Sequence, residues 1–143
     1  MLVYIMNNIN KIISNPKLLD ITLSAGEIAL EFQKKLDVKT KEDNSYVSNG
    51  DFAVSDFLIK ELSKIYTDFE VYSEENFNKD IDTKKVIVID PIDGTQSYVN
   101  NEKDWSVMIA FYENGHVIES LIYQASRKKL YYAPKTSAGD IYL

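Results

Sequence analysis

The chain has no cysteine, a single histidine, His116, and a single tryptophan, Trp105. Without thiols there are no disulfides, no thiolate nucleophile and no cysteine-based zinc site. One imidazole removes histidine-based metal centres and argues against a Ser-His-Asp triad. Basic clusters are missing as well, and the formal net charge is −6, so nothing advertises a grip on a nucleic-acid polymer. No apolar run approaches the roughly 20 residues that span a bilayer, and no membrane partner is expected. The apolar start, Met1 to Met6, is short and lacks a basic n-region and a small-residue cleavage site. It does not read as a secretory signal, and the expected location is cytoplasmic. Carboxylates, hydroxyls, lysine and arginine remain for chemistry. An acidic protein acting on an anionic substrate needs a metal to offset the repulsion.

At 143 residues, 45% hydrophobic and 27% charged, the composition is that of one globular domain, residues 1–143, long enough to bury a core. Leu18, Ile21, Ala25, Ile28, Ala29 and Phe32 recur at helical spacing and predict a helix from about Lys17 to Leu36. Ser14-Asn15-Pro16 supplies its cap and first-turn proline. A second helix is expected from Asp51 to about Ile65, with Asp51 as N-cap. The polar connection between them, Asp37 to Gly50, reads as a loop able to move, with Val38 and Tyr46-Val47 as short strand ends.

Strands are expected at Phe69–Ser73, at Val86–Ile89, and then at Ser106–Tyr112 and Val117–Gln124. Asn114-Gly115 between the last two is a strong hairpin signal. Lys129–Ala133 and Ile141–Leu143 read as further strands. The order predicts an α+β fold, two helices packed on a largely antiparallel sheet.

The organising stretch is Val86-Ile87-Val88-Ile89-Asp90-Pro91-Ile92-Asp93-Gly94-Thr95. A buried strand runs into two carboxylates across a turn that Pro91 stiffens. Carboxylates held this close repel unless a cation sits between them, and oxygen donors suit magnesium. Gly94 lets a ligand approach the backbone, and Thr95 offers a hydroxyl and an amide to an anion. Taken singly, Asp90 and Asp93 could form an acidic surface turn, Glu74-Glu75 a solvated pair, and Asp51 a helix cap. All of them stand at the ends of elements, and their joint placement points to a shared cation site.

Val47-Ser48-Asn49-Gly50-Asp51, Ser73-Glu74-Glu75 and Asp90-Pro91-Ile92-Asp93-Gly94-Thr95 occur in this order, followed by Trp105-Ser106-Val107 and Leu130-Tyr131-Tyr132-Ala133. From about Ala25 onward this resembles the N-terminal half of the inositol monophosphatase superfamily of metal-dependent, lithium-sensitive phosphatases. Serine before the acidic pair resembles its CysQ branch, the 3′(2′),5′-bisphosphate nucleotidases. The resemblance implies Mg2+ as cofactor and a small anionic phosphomonoester as substrate, with adenosine 3′,5′-bisphosphate as first choice and inositol 1-phosphate as a further alternative. It implies that Glu74, Asp90, Asp93 and the Ile92 carbonyl ligate metal. Glu74 with Thr95 would orient the attacking water, and Asp51 would assist at a further metal site. The Gly94 and Thr95 amides would hold the phosphate.

Family chains are about twice as long, so the resemblance leaves out a C-terminal α/β half that carries another metal-site aspartate. A truncated or split half that binds metal and phosphate without turnover is therefore an alternative. A homodimer or a separate C-terminal half would be its partner, with Tyr123, Tyr131 and Tyr132 serving as core or interface residues. Haloacid dehalogenase-like enzymes also follow an apolar strand with two aspartates, but in Asp-x-Asp-Gly-Thr. Here one extra residue separates Asp90 from Asp93, which would displace the acid from the nucleophile.

Overall fold

The first apolar periodicity becomes α1, Pro16–Gln33, in the computed structural model, which describes residues 2–4, 13–76 and 84–134. The Asn15 side chain caps α1 by accepting from the Lys17 amide at 3.0 Å, and Pro16 opens its first turn. The helix stops short of the expected Leu36. The Lys34 and Lys35 amides bond back only three residues, to Glu31 and Phe32, which tightens and ends the last turn.

The short strand ends expected at Val38 and Tyr46-Val47 are present, and they pair to make the connection after α1 a small hairpin. β2, Val38–Thr40, pairs antiparallel with β3, Tyr46–Ser48, and the two form a sheet of their own. α2 follows at once as Asn49–Ile65. Its cap differs from the expectation: Ser48 is the N-cap, and Asp51 stands three residues inside. The Ser48 side chain accepts from the Asp51 amide while the Asp51 carboxylate accepts from the Ser48 amide. A capping box satisfies two orphan amides, whereas Asp51 alone at the cap would satisfy one.

The main sheet has six strands. β4, Glu70–Ser73, leads through a 3-10 turn, Glu74–Asn76, toward β5, Lys85–Asp93; α3, Thr95–Val99, precedes β6, Ser106–Glu113. β7, His116–Gln124, and β8, Lys129–Ala133, complete the meander, and an edge strand that sequence reading missed, β1 at Leu2–Tyr4, pairs with β8. The spatial order is β1-β8-β7-β6-β5-β4. Every pair is antiparallel except β4 with β5, which run parallel. The Asn-Gly turn is present, with Asn114 and Gly115 both at positive φ of 52° and 81°. The expected strand at Ile141–Leu143 lies outside the described residues.

Register divides the sheet into two faces. Ile87 lies opposite Phe111, Ile89 opposite Ile109, and Ile109 opposite Leu121, and all of these are buried in one core with Leu18, Ala25, Val54, Leu58 and Leu62 of the helices. Val88, Asp90, Met108, Ala110, Ile122 and Tyr131 share the other face and are half-buried. Tyr123 and Tyr132 are core residues, as one of the two sequence readings had them. Among the described residues, no helix is long and apolar enough to cross a membrane.

Tyr98 of α3 locks the helices to the sheet end. It is fully buried, its hydroxyl donates to the Ala29 carbonyl at 2.6 Å, and its ring meets Trp105 edge-on with centroids 5.0 Å apart. That hydroxyl lies against Gly50. A Cβ on Gly50 would come within 3.0 Å of Tyr98 Cζ and closer still to its oxygen. Gly50→Ala should therefore destabilise the chain by about 1–3 kcal/mol. Tyr98→Phe, which removes the clashing oxygen, should recover part of that loss in the double variant. Urea titration of the four proteins tests this, and additive losses would contradict it.

Candidate active site

Because β4 and β5 are parallel, their C-terminal ends finish side by side, with Ser73 opposite Ile89. Residues leaving the two strands are thereby delivered to one place. Ser73 is buried, and its Oγ accepts from the Ser55 hydroxyl at 2.7 Å and from the Glu75 amide at 3.4 Å. The chain then bends so that the two glutamates part. The Glu75 side chain is 7% exposed and the Glu74 side chain 57%.

β5 does not turn at Pro91, as the sequence suggested. It stays paired with β6: Asp90 lies opposite Met108 and Asp93 opposite Ser106, with one extra residue on the β5 side. Proline donates no ladder bond, so the interruption falls where a bulge costs least. After it, Gly94 takes a φ of 82°, and a Cβ there would stand 2.7 Å from the Asp104 carbonyl. Glycine is required twice over, by conformation and by space. Thr95 begins α3, and its hydroxyl donates to the Ile92 carbonyl at 3.0 Å.

Asp51 reaches the same region from α2. It is buried, and its Oδ2 accepts from both the amide and the hydroxyl of Ser48 at 2.7 Å. Burial nonetheless raises its pKa against those hydrogen bonds. Asp90 is more strongly perturbed. Burial, then the charges of Glu74, Asp93 and Asp51, push it up to about 7, and the Ile92 amide pulls weakly the other way. Its Oδ1 is shielded from solvent without a hydrogen-bond partner.

The structure thus brings Asp51, Glu74, Asp90 and Asp93 into one electrostatic neighbourhood, with the Ile92 carbonyl, Gly94 and Thr95 beside them. Glu75 stands at the margin of this group, where the charges of Asp51 and Glu74 still reach it. Burial raises the Glu75 pKa, but Glu75 accepts a hydrogen bond from the Lys41 ammonium at 3.1 Å. Sequence reading missed Lys41. In the run Lys39-Thr40-Lys41-Glu42-Asp43 nothing distinguishes one lysine from the other. Only the hairpin turn carries Lys41 across to the end of β4. The turn and the β5–α3 connection wall a cleft of about 310 Å³, lined by Lys41, Tyr46, Glu74, Gly94, Thr95 and Gln96.

These residues suit a divalent cation in donor chemistry. Carboxylate and carbonyl oxygens are hard donors, and a buried carboxylate oxygen without a partner, among other carboxylates, is stabilised by positive charge. As the chain stands, no three acidic or imidazole side chains among the described residues are grouped closely enough to hold one ion. The Glu74 side chain is mostly exposed and stands 3.8 Å from Lys41.

Residues 19–140 match the model of the inositol monophosphatase family. The chain belongs to this family. Members of the inositol monophosphatase family are metal-dependent phosphatases. The CysQ 3′(2′),5′-bisphosphate nucleotidase of Haemophilus influenzae is 33% identical over 132 residues, which cover 90% of this chain and 49% of that protein. The inositol-1-monophosphatase of Bacillus subtilis is 28% identical over 113 residues, 77% of this chain and 43% of the relative. A solved IMPase/NADP phosphatase complexed with Mg2+ and phosphate superposes with a TM-score of 0.74 at 25% identity, over 82% of this chain and 46% of that one. The chain spans about half the length of the curated relatives it matches.

The charge crowding at Asp90 makes a prediction for the metal-free chain. A carboxyl whose folded pKa is raised keeps its proton when the unfolded chain has lost it. Its contribution therefore falls as pH rises from the ordinary 3.8 to about 7 and is flat above. Asp90→Asn should remove that loss and stabilise the metal-free protein at about pH 8 by about 2 kcal/mol, less than the full shift because the group is only half-buried. At about pH 4 the two proteins should melt alike. Thermal melts in EDTA across this range check it, and a destabilised Asp90→Asn at pH 8 would contradict it.

Proposed function

We propose that residues 1–143 act as one domain bearing the catalytic site of a magnesium-dependent phosphatase of small anionic phosphomonoesters. The observation that carries this reading is Asp90, whose unpartnered, shielded oxygen lies among Glu74, Asp93 and Asp51. Family membership and the relative complexed with Mg2+ and phosphate support it. In this reading Glu74, Asp90, Asp93 and the Ile92 carbonyl hold the ion, and Asp51 assists at a further one. Magnesium, when bound, supplies the positive charge that activates water and offsets the charge on the phosphate. The Thr95 hydroxyl and the Glu74 carboxylate orient the attacking water. The Gly94 and Thr95 amides receive a phosphate oxygen. Water oxygen attacks phosphorus as the ester oxygen leaves, giving an alcohol and inorganic phosphate.

For substrate we favour the 3′-phosphate of adenosine 3′,5′-bisphosphate, on the similarity to CysQ. Inositol 1-phosphate is the alternative, on the similarity to the Bacillus subtilis enzyme. A second reading rests on length, since the chain spans 49% of its CysQ relative. In that reading the chain binds metal and phosphate but turns over only with a second polypeptide.

The test is phosphate release from both substrates, with and without Mg2+. Magnesium-dependent release, lowered about 100-fold or more by Glu74→Gln or Asp90→Asn, is expected. Release that survives EDTA or Asp90→Asn would sink the mechanism. Release that appears only when the other half of a relative is added would favour the second reading.

A further inference from the structure

The loop that sequence reading left as a polar connection delivers a single cation to the acidic cluster, and it does so from a well-bonded turn. The Lys41 amide donates to the Ser45 carbonyl at 2.8 Å, and the Asn44 amide to the Lys41 carbonyl at 3.1 Å. Asn44 takes a positive φ of 64°, and the Asp43 carboxylate accepts from the amide and hydroxyl of Ser45 at 3.0 Å and 2.6 Å. The base of the hairpin is tied to α2 by the Asp37 amide, which donates to the Asn49 side chain at 3.0 Å.

From this turn the Lys41 ammonium contacts two neighbouring glutamates unequally. It donates to Glu75 at 3.1 Å, and that carboxylate is almost fully buried. It stands 3.8 Å from Glu74, at the limit of an ion pair and without a hydrogen bond, and Glu74 is mostly exposed. A buried carboxylate stripped of its partner costs far more than an exposed one, so the two contacts differ in strength. Glu75 is the anchor. Glu74 is the loosely held member, and it is also the carboxylate assigned to the metal.

We propose that Lys41 is a tethered counter-ion of the acidic cluster, held by Glu75 and displaced from Glu74 when a divalent cation binds. The proposal rests on the metal-dependent reading given above. It gives Glu75 a role that is not ligation: Glu75 fixes the ammonium where it screens the carboxylates of the metal-free chain. It also places a positive charge beside Glu74, the carboxylate whose charge acts most strongly on Asp90. A divalent ion taking Glu74 meets a like charge a few ångströms away, so the tether lowers metal affinity while it protects the metal-free fold.

The experiment is calorimetric titration of the EDTA-treated full chain with MgCl2, using wild type, Lys41→Gln, Lys41→Met and Lys41→Arg. Glutamine keeps a donor for Glu75 and guards against loss of folding. Both neutral variants should bind Mg2+ about 3- to 10-fold more tightly, and Lys41→Arg should stay within about twofold of wild type. Without metal, Lys41→Met should melt at a lower temperature than wild type, and Mg2+ should raise its melting temperature by a larger step. Unchanged or weaker Mg2+ binding by both neutral variants, with wild type binding, would overturn the tether and leave the metal reading standing. No binding by any of the four would overturn both.

Discussion

Like charges crowd the end of one parallel strand pair, and the rest of the structure answers to that crowding. β4 and β5 are the only parallel neighbours in the described sheet, and it is their shared direction that places Glu74 beside Asp90 and Asp93. An antiparallel pairing would have sent the glutamates to the opposite edge. Asp51 then arrives from α2, whose start is fixed by its own capping box. Each acidic residue is justified locally, as a cap, a strand end or a turn. The cost appears only in the sum, as a half-buried Asp90 pushed up to about 7.

The scaffold around this cluster is correspondingly rigid. Tyr98 is pinned between α1 and Gly50, Gly94 is wedged against the Asp104 carbonyl, and Ser73 is held by Ser55. None of these contacts involves a charge. They resist the spreading that mutual repulsion would otherwise drive. A cluster held together in this way gives up stability in the metal-free chain. Glu74 and Asp93 are the exposed members of the cluster, while Asp51 and Asp90 are set into the scaffold.

The sequence made the fold class and most elements legible because their signals are local. Period 3.6 marks α1 and α2, Asn114-Gly115 marks the β6–β7 turn, and four β-branched residues mark β5. The misses have local causes too. Three-residue strands such as β2 and β3 are too short to show alternation, so the sequence marks their ends at Val38 and Tyr46-Val47 but not their pairing into a hairpin. The Asp51 cap was misjudged by three residues because Ser48 and Asp51 are both good capping residues, and only the reciprocal bonding decides between them. At Pro91, proline was taken for a turn. Whether it makes a turn or a bulge depends on the partner strand, which sequence alone does not pair. Lys41 was invisible because its significance lies in where a turn points.

The two faces of the sheet link the site to its surroundings through one residue. Asp90 lies on the half-buried face with Val88, Met108, Ala110, Ile122 and Tyr131, opposite the helices. Its neighbour Ile89 belongs to the core. Any apolar surface laid over that row would strip more water from Asp90 and raise its pKa further, so that the ion would have to displace a more firmly held proton. A surface carrying cationic groups would do the opposite and favour the ionised Asp90. In the proposed metal-binding reading, affinity would therefore be set from two directions, by the lysine at the cleft and by the polarity of whatever lies against the open face of the sheet.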